Sequence, residues 1–393
     1  MKQIEPFAEG FIAALCPELV LFAGLIALII LPNLGKGTFR IPGTQKRVMW
    51  LLGGDRFRVT SNPKLPAWIA TVTLFAAFIQ TMLSFQDGVD RTAIVTESGK
   101  QLMLVNGFSR VFELIFFGAL TLAAFASMNR LEVRGVGPNL SNDDLYNNRR
   151  QADFYILMLT CGLGMSVVAL AQDLFVLFIG LELASFSTYV LVAFYKETKV
   201  GTEAGMKYFI VGSVASGVGL YGLSMLYLWA GSLQFDALAD QFVISGAEPL
   251  PLIAMGFVLV GFGFKVSAAP FHFAAPDAYA GASSPVAGIL ATASKAMGVI
   301  GLLRMLLIVA APEASEDGTV WLTLLGILSI ITMTWGNIAA LGSTNPKRML
   351  AYSSVAHAGY MLAAITAIGA WNWDESLAGD GGEAAIAVLT ALI

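Results

Sequence analysis

Ten apolar stretches, each long enough to cross a bilayer as a helix, recur near 11–33, 66–86, 110–128, 153–171, 174–195, 204–230, 251–281, 284–311, 320–343 and 346–370. An eleventh starts near 383 and runs to Ile393. A lipid core offers no water to backbone N–H and C=O groups, so only helices and closed barrels can span it. The alternating pattern of a membrane barrel is absent. The expected fold class is therefore an all-α polytopic membrane protein. Only 13% of residues are charged, against about 25% in soluble domains.

The loop after the first span carries Lys36, Arg40, Lys46, Arg47, Arg56, Arg58 and Lys64 against Asp55. Inner loops collect Lys and Arg, which places this loop in the cytoplasm and the N-terminus on the far side. Counting spans onward, inner loops hold Arg130, Arg134, Arg149, Arg150, Lys196, Lys199, Lys347 and Arg348. The outer loops hold mostly acids, including Asp236, Asp240, Glu248, Glu313, Glu316 and Asp317, with Arg110 among their few cations.

Four charges stand out inside spans: Glu182, Lys207, Lys265 and Lys295. An ionisable group at membrane depth costs about 2.5–3.5 kcal/mol on insertion scales. A buried lysine can also take up and release a proton. Several such groups in one chain point to a proton path.

Glu182 sits mid-span among apolar neighbours and calls for a partner, functional or structural. Lys207 lies about two turns into the sixth span, so it either snorkels to the inner interface or pairs with Glu182, which would partly offset both desolvation costs. Residues 251–281 would make a helix of roughly 46 Å if unbroken, against a core of about 30 Å. Pro270 and Pro276 each remove a backbone donor, so a break is expected near 267–275. Such breaks are tolerated where they line a buried or watery cavity. Lys265 falls just before this break and His272 just after it, where His272 relays protons or caps freed carbonyls. Lys295 is central in the eighth span, where snorkelling is difficult. Arg304, near the outer end of the same span, reads as an interfacial anchor. His357, about three turns into the tenth span, is either a core histidine or a proton relay.

No Walker A motif, dinucleotide fingerprint or cysteine cluster occurs. Cys16 and Cys161 both fall in apolar spans and read as inert thiols. No metal, cofactor or nucleic-acid site is expected in this chain, and no redox centre.

Six stretches carry a resemblance: CPELVLFAGLIALIIL at 16–31, LFIGLELASFSTYVLVAFYK at 177–196, EAGMKYFIVGSVASG at 203–217, GFKVSAAPFHFAAPDAYAGASSPV at 263–286, SKAMGVIGLLR at 294–304 and KRMLAYSSVAHAGYM at 347–361. Together they resemble the antiporter-like membrane subunits of proton-pumping NADH:quinone oxidoreductase, respiratory complex I, and among those the subunit N branch. The resemblance implies inverted five-helix repeats, each with a discontinuous helix, the second repeat apparently truncated. On that pattern, 1–128 holds peripheral helices 1–3, 129–311 the first repeat (helices 4–8), and 312–393 the start of the second. It also implies a proton relay through Glu182, Lys207, Lys265 and Lys295, which His357 would join. NADH, flavin, iron–sulfur clusters and quinone would belong to partner subunits, with protons, the lipid bilayer and the other membrane-arm subunits as this chain's partners. The expected location is a bacterial inner membrane, with the N-terminus periplasmic.

Three departures stand out. Ala274 occupies a position where the family commonly has tryptophan, the usual YEGAP reads Tyr279-Ala280-Gly281-Ala282-Ser283, and the chain stops at Ile393 in an apolar run, which favours a fragment of a longer family member. Two rival functions share these motifs: a subunit of a multi-subunit sodium/proton antiporter, and a non-pumping scaffold whose charges are structural.

Overall fold

The computed structural model describes residues 11–30, 38–40, 47–49, 64–86, 91–95, 101–129, 142–245, 248–309 and 318–373. The eleventh span near 383 and most cations of the 34–64 loop lie outside them. The helices are α1 (Phe11–Ala14), α2 (Cys16–Ile30), α3 (Leu65–Gln86), α4 (Gly107–Ser127), α5 (Asn142–Leu170), α6 (Leu174–Val192), α7 (Lys199–Ala230), α8 (Phe235–Ser245), α9 (Pro249–Val266), α10 (Ala275–Gly281), α11 (Ser284–Ala291), α12 (Ala293–Val309), α13 (Gly318–Leu341) and α14 (Pro346–Trp373). Among the described residues, nine segments are long and apolar enough to cross a membrane, and Cys16–Ile30 is a shorter apolar helix.

Two antiparallel ribbons occupy segments expected to be loops. β1 (Thr38–Arg40) pairs with β2 (Arg47–Met49), and β3 (Arg91–Val95) with β4 (Gln101–Val105). Strands this short carry too few residues to show a period in the sequence. The second ribbon lies over the end of α5, where Gln172 N–H donates to the Leu102 carbonyl at 2.9 Å.

Helices pack as they do in lipid, by close backbone approach at small residues. A Cβ on Gly164 would come within 2.5 Å of the Ala184 nitrogen, so α5 and α6 meet backbone to backbone. That contact holds the helix bearing Glu182 against the core.

The 251–281 break forms as expected, with one revision. α9 ends at Val266, and Ser267 adopts a left-handed conformation at φ 63°. Ala268 N–H reaches the Gly263 carbonyl at 2.8 Å and Ser267 N–H the Phe264 carbonyl at 3.1 Å, a closure that satisfies carbonyls at a helix end. Ala269 N–H donates to Thr332 Oγ1 of α13 at 3.0 Å. Pro270 lies in the break. Pro276, by contrast, sits in the first turn of α10, where a missing N–H costs nothing; it starts a helix rather than breaking one.

The eighth span, read as one helix, is bent. α11 and α12 meet at Thr292, whose φ and ψ of −113° and −87° are not helical and whose hydroxyl bonds the Gly288 carbonyl at 2.9 Å. Lys295 follows three residues later.

Candidate functional site

The site is built where α6, α7 and α9 converge. Glu182, Ser185 and Tyr189 are spaced i, i+3, i+7, so α6 turns all three to one face. Lys265 of α9 is buried against that face. Its ammonium donates to the Ser185 hydroxyl and to the Tyr189 hydroxyl, the latter at 3.1 Å, and lies 3.9 Å from Glu182 Oε1. Ser216 of α7 donates to the same Glu182 oxygen at 2.6 Å. Glu182, Ser216 and Lys265 line a space of about 20 Å³ whose other walls are apolar, room for one water with polar partners. Gly212 makes this arrangement possible, because a Cβ there would overlap the Tyr189 hydroxyl.

Glu182 therefore has a lysine partner, but it is Lys265 and not Lys207. Lys207 is half exposed and pairs with Glu203 at 2.8 Å and Asp277 at 2.9 Å. The reason is distance along α7: Lys207 lies nine residues before Ser216, about 13 Å of helix. At 32 residues, α7 is also about 48 Å long, well over the membrane core of about 30 Å. Asp277 of α10 also pairs with Arg348, and Lys347 donates to the Ala282 carbonyl at 2.7 Å. This polar network ties α7, α10 and α14 together at one end of the bundle.

Lys295 is buried and donates to the backbone carbonyl of Ser354 on α14. Its helix crosses α9 closely: a Cβ on Gly298 would lie 3.2 Å from the Lys265 carbonyl carbon. Between the two lysines stand buried hydroxyls. The Tyr208 ring meets the Tyr189 ring edge-on at 4.8 Å, and its hydroxyl faces Thr188 and Ser294. Lys295 and His357 line a cavity of about 480 Å³ with Tyr279, Ser354 and Lys347. His357 is exposed there, with Nδ1 2.8 Å from the Ser353 carbonyl.

His272 is buried, stacks on Phe273 and meets Trp335 edge-on, and its Nδ1 has no hydrogen-bond partner among the described residues. That nitrogen caps no carbonyl freed by the break. Arg304 is no interfacial anchor. It is buried and donates to the carbonyls of Ala169, at 2.6 Å, and Ala171. Carbonyls left open at the end of α5 need donors, and Arg304 supplies them. Arg110 does not lie in an outer loop; it is buried in the first turn of α4.

Sequence reasoning missed Ser185, Tyr189, Ser216, Tyr208, Ser294 and Asp277. A signal existed for two of them, since Ser185 and Tyr189 share the helical face of Glu182.

Residues 171–379 match the family described as NADH:quinone oxidoreductase/Mrp antiporter, transmembrane. The chain is 35% identical over 300 residues to NADH-quinone oxidoreductase subunit N 2 of Roseiflexus castenholzii, covering 75% of this chain and 57% of that one. It is 32% identical over 356 residues to F(420)H(2) dehydrogenase subunit N of Methanosarcina mazei, covering 88% and 62%. The chain thus spans less than two thirds of the length of either relative. Among solved structures, a chain of respiratory complex I from Thermus thermophilus with bound aureothin superposes with a TM-score of 0.66 at 28% identity, over 96% of this chain and 68% of that one.

Proposed function

Because the chain belongs to the NADH:quinone oxidoreductase/Mrp antiporter transmembrane family, we propose that it is a membrane-arm subunit that moves protons across a bacterial inner membrane. The driving force would be electron transfer from NADH to quinone in partner subunits that hold the flavin and iron–sulfur clusters. The observation that carries this reading is Lys265: a lysine sealed at membrane depth, at a helix break, with Glu182 and the Ser185 and Tyr189 hydroxyls around it.

On this reading protons reach Lys295 through the cavity shared with His357 and Lys347. They pass toward Lys265 by way of Ser294, Tyr208 and Tyr189, then to Glu182. Each hydroxyl can accept a proton from one side and donate one to the other. Lys295 and Lys265 carry like charges in adjoining helices, so protonation of one raises the cost of protonating the other. Lys207 acts at the inner surface, where its pairing with Asp277 couples α7 to α10 and α14. The N-terminus would face the periplasm.

The test is Lys265→Ala in the assembled complex. Electron transfer and the pH gradient are recorded in the same membrane vesicles, with assembly checked on a native gel. An assembled complex with sharply reduced pumping or coupled turnover supports the relay; wild-type pumping and turnover would falsify it and favour the scaffold. The family also includes antiporters, so the assay is run with and without sodium. A sodium requirement for the gradient would move the reading to sodium/proton exchange.

A further inference from the structure

A second set of ionisable groups lies far along the chain from Glu182 and the lysines. Glu18 lies in the first turn of α2, Arg110 and Glu113 in the first two turns of α4, and Ser166 near the end of α5. The Asn106 capping box, with Ser109 N–H on Asn106 Oδ1 at 2.9 Å, fixes the turn that carries Arg110. All four side chains are buried. The β3–β4 ribbon covers this end of the bundle, with Ala93, Met103 and Val105 packed on Ala14, Leu15 and Leu170.

Proton counting at Ser166 is the informative step. Its Oγ lies 2.5 Å from Glu18 Oε1 and 2.8 Å from Glu113 Oε1. A hydroxyl carries one proton and can donate it to one acceptor. If both carboxyls were ionised, one of these contacts would set two lone-pair oxygens against each other with no hydrogen between them. A proton on one carboxyl removes that conflict. Charge agrees: two carboxyls face one guanidinium, since Arg304 turns to the carbonyls at the end of α5. α1 and α3 carry no ionisable residue, and the packed ribbon residues are apolar.

We propose that Glu18 and Glu113 hold a single proton between them across Ser166, forming a proton-binding site under the β3–β4 ribbon that is separate from Glu182, Lys265 and Lys295. Glu113 Oε2 accepts from Arg110 Nη1 at 2.5 Å and is the ionised member. Glu18 stands 4.0 Å from that nitrogen, and its buried Oε2 has no hydrogen-bond partner among the described residues. An unpartnered oxygen is far less costly on a neutral acid than on a carboxylate. The chain then runs Glu18 O–H to Ser166 and Ser166 O–H to Glu113, which also accepts from Arg110 N–H. If both protons shift along it, Glu113 becomes the acid and Glu18 the carboxylate, with no net change in proton number and no side-chain rotation. Arg110 Nη2, on the Ala14 carbonyl at 2.6 Å, keeps the guanidinium in place for either form.

Infrared difference spectra of the protein in membranes at neutral pH, in H2O and D2O, test this. The wild type holds one acid and one carboxylate. Glu18→Gln and Glu113→Gln should each lose a deuterium-sensitive carboxylic C=O band and keep one carboxylate, because the remaining carboxyl ionises to offset Arg110. Loss of carboxylate bands with the acid region unchanged overturns the proposal, and so does loss of the acid band in only one variant. Should Glu113→Gln fail to fold, Ser166→Ala decides: the acid band should shift, and an unchanged band overturns the shared proton. The outcome does not depend on pumping, so this site stands or falls independently of the Lys265 relay.

Discussion

Lys265 and Glu182 face each other across 3.9 Å, yet each takes its closest hydrogen bond from elsewhere. Lys265 is held by Ser185 and Tyr189, and Glu182 by Ser216 at 2.6 Å. The pair is coulombic rather than clasped. Either member can change charge without stranding the other, because each keeps a hydroxyl partner.

Glu182→Gln keeps the Ser216 bond and removes the charge. Two unit charges about 4 Å apart attract by about 4 kcal/mol at an effective dielectric of about 20, and about 1.4 kcal/mol is tenfold in rate. Proton pumping should therefore fall by roughly tenfold or more while the complex still assembles. Unchanged pumping in vesicles would show that Lys265 does not use this carboxylate.

Tyr189→Phe and Gly212→Ala attack one contact from two sides. The first deletes the hydroxyl at Lys265; the second leaves it but fills its place. Both should reduce pumping several-fold, with Gly212→Ala also lowering the melting temperature. A fully active Tyr189→Phe complex would remove the tyrosine from the path.

Arg304→Ala should act on stability. It leaves the Ala169 and Ala171 carbonyls without their donor, and each buried orphan group costs about 1–3 kcal/mol. Thermal unfolding should come several degrees lower, with Arg304→Lys recovering part of the loss. Pumping per assembled complex should stay near wild type. An unchanged melting temperature would mean the end of α5 finds other donors.

The turn between α6 and α7 has a pH-dependent element. Glu197 is held below the usual carboxylate range, first by a backbone hydrogen bond and then by Arg150, which it meets at 2.6 Å. A lowered folded-state value means the stabilisation is present above the unfolded value and is lost as pH falls through the folded one. Pairs this exposed contribute about 1 kcal/mol at most. The melting temperature should drop slightly more on acidification below about pH 4.3 in wild type than in Glu197→Gln. Parallel curves for the two would exclude the pair as a contributor.

Much of this was legible because membrane depth makes charge conspicuous. Glu182, Lys265 and Lys295 stand out in apolar runs, and Pro270 with the excess length announced the break, while Pro276 marked the next helix start. What escaped followed from three-dimensional register. Nothing in the sequence says that Glu182 faces Ser216, about 13 Å of helix beyond Lys207, and the pairing weighed between Glu182 and Lys207 failed for that reason. Arg304 and Arg110 were read by their distance from span ends, a measure that ignores which neighbour's open carbonyl or carboxylate lies beside them. The serines and tyrosines around Lys265 were invisible to a search for charge, although the face of α6 they share was there to be read.

Ending α9 at Val266 does more than interrupt a helix. The aligned peptide dipoles of a helix leave about half a negative charge at its C-terminal end, and Lys265 stands in the last turn of α9. The fold thus supplies Lys265 with a counter-charge made of backbone, which no substitution can delete and no proton can neutralise. When Glu182 is protonated or drawn away, that fixed charge stays with the lysine.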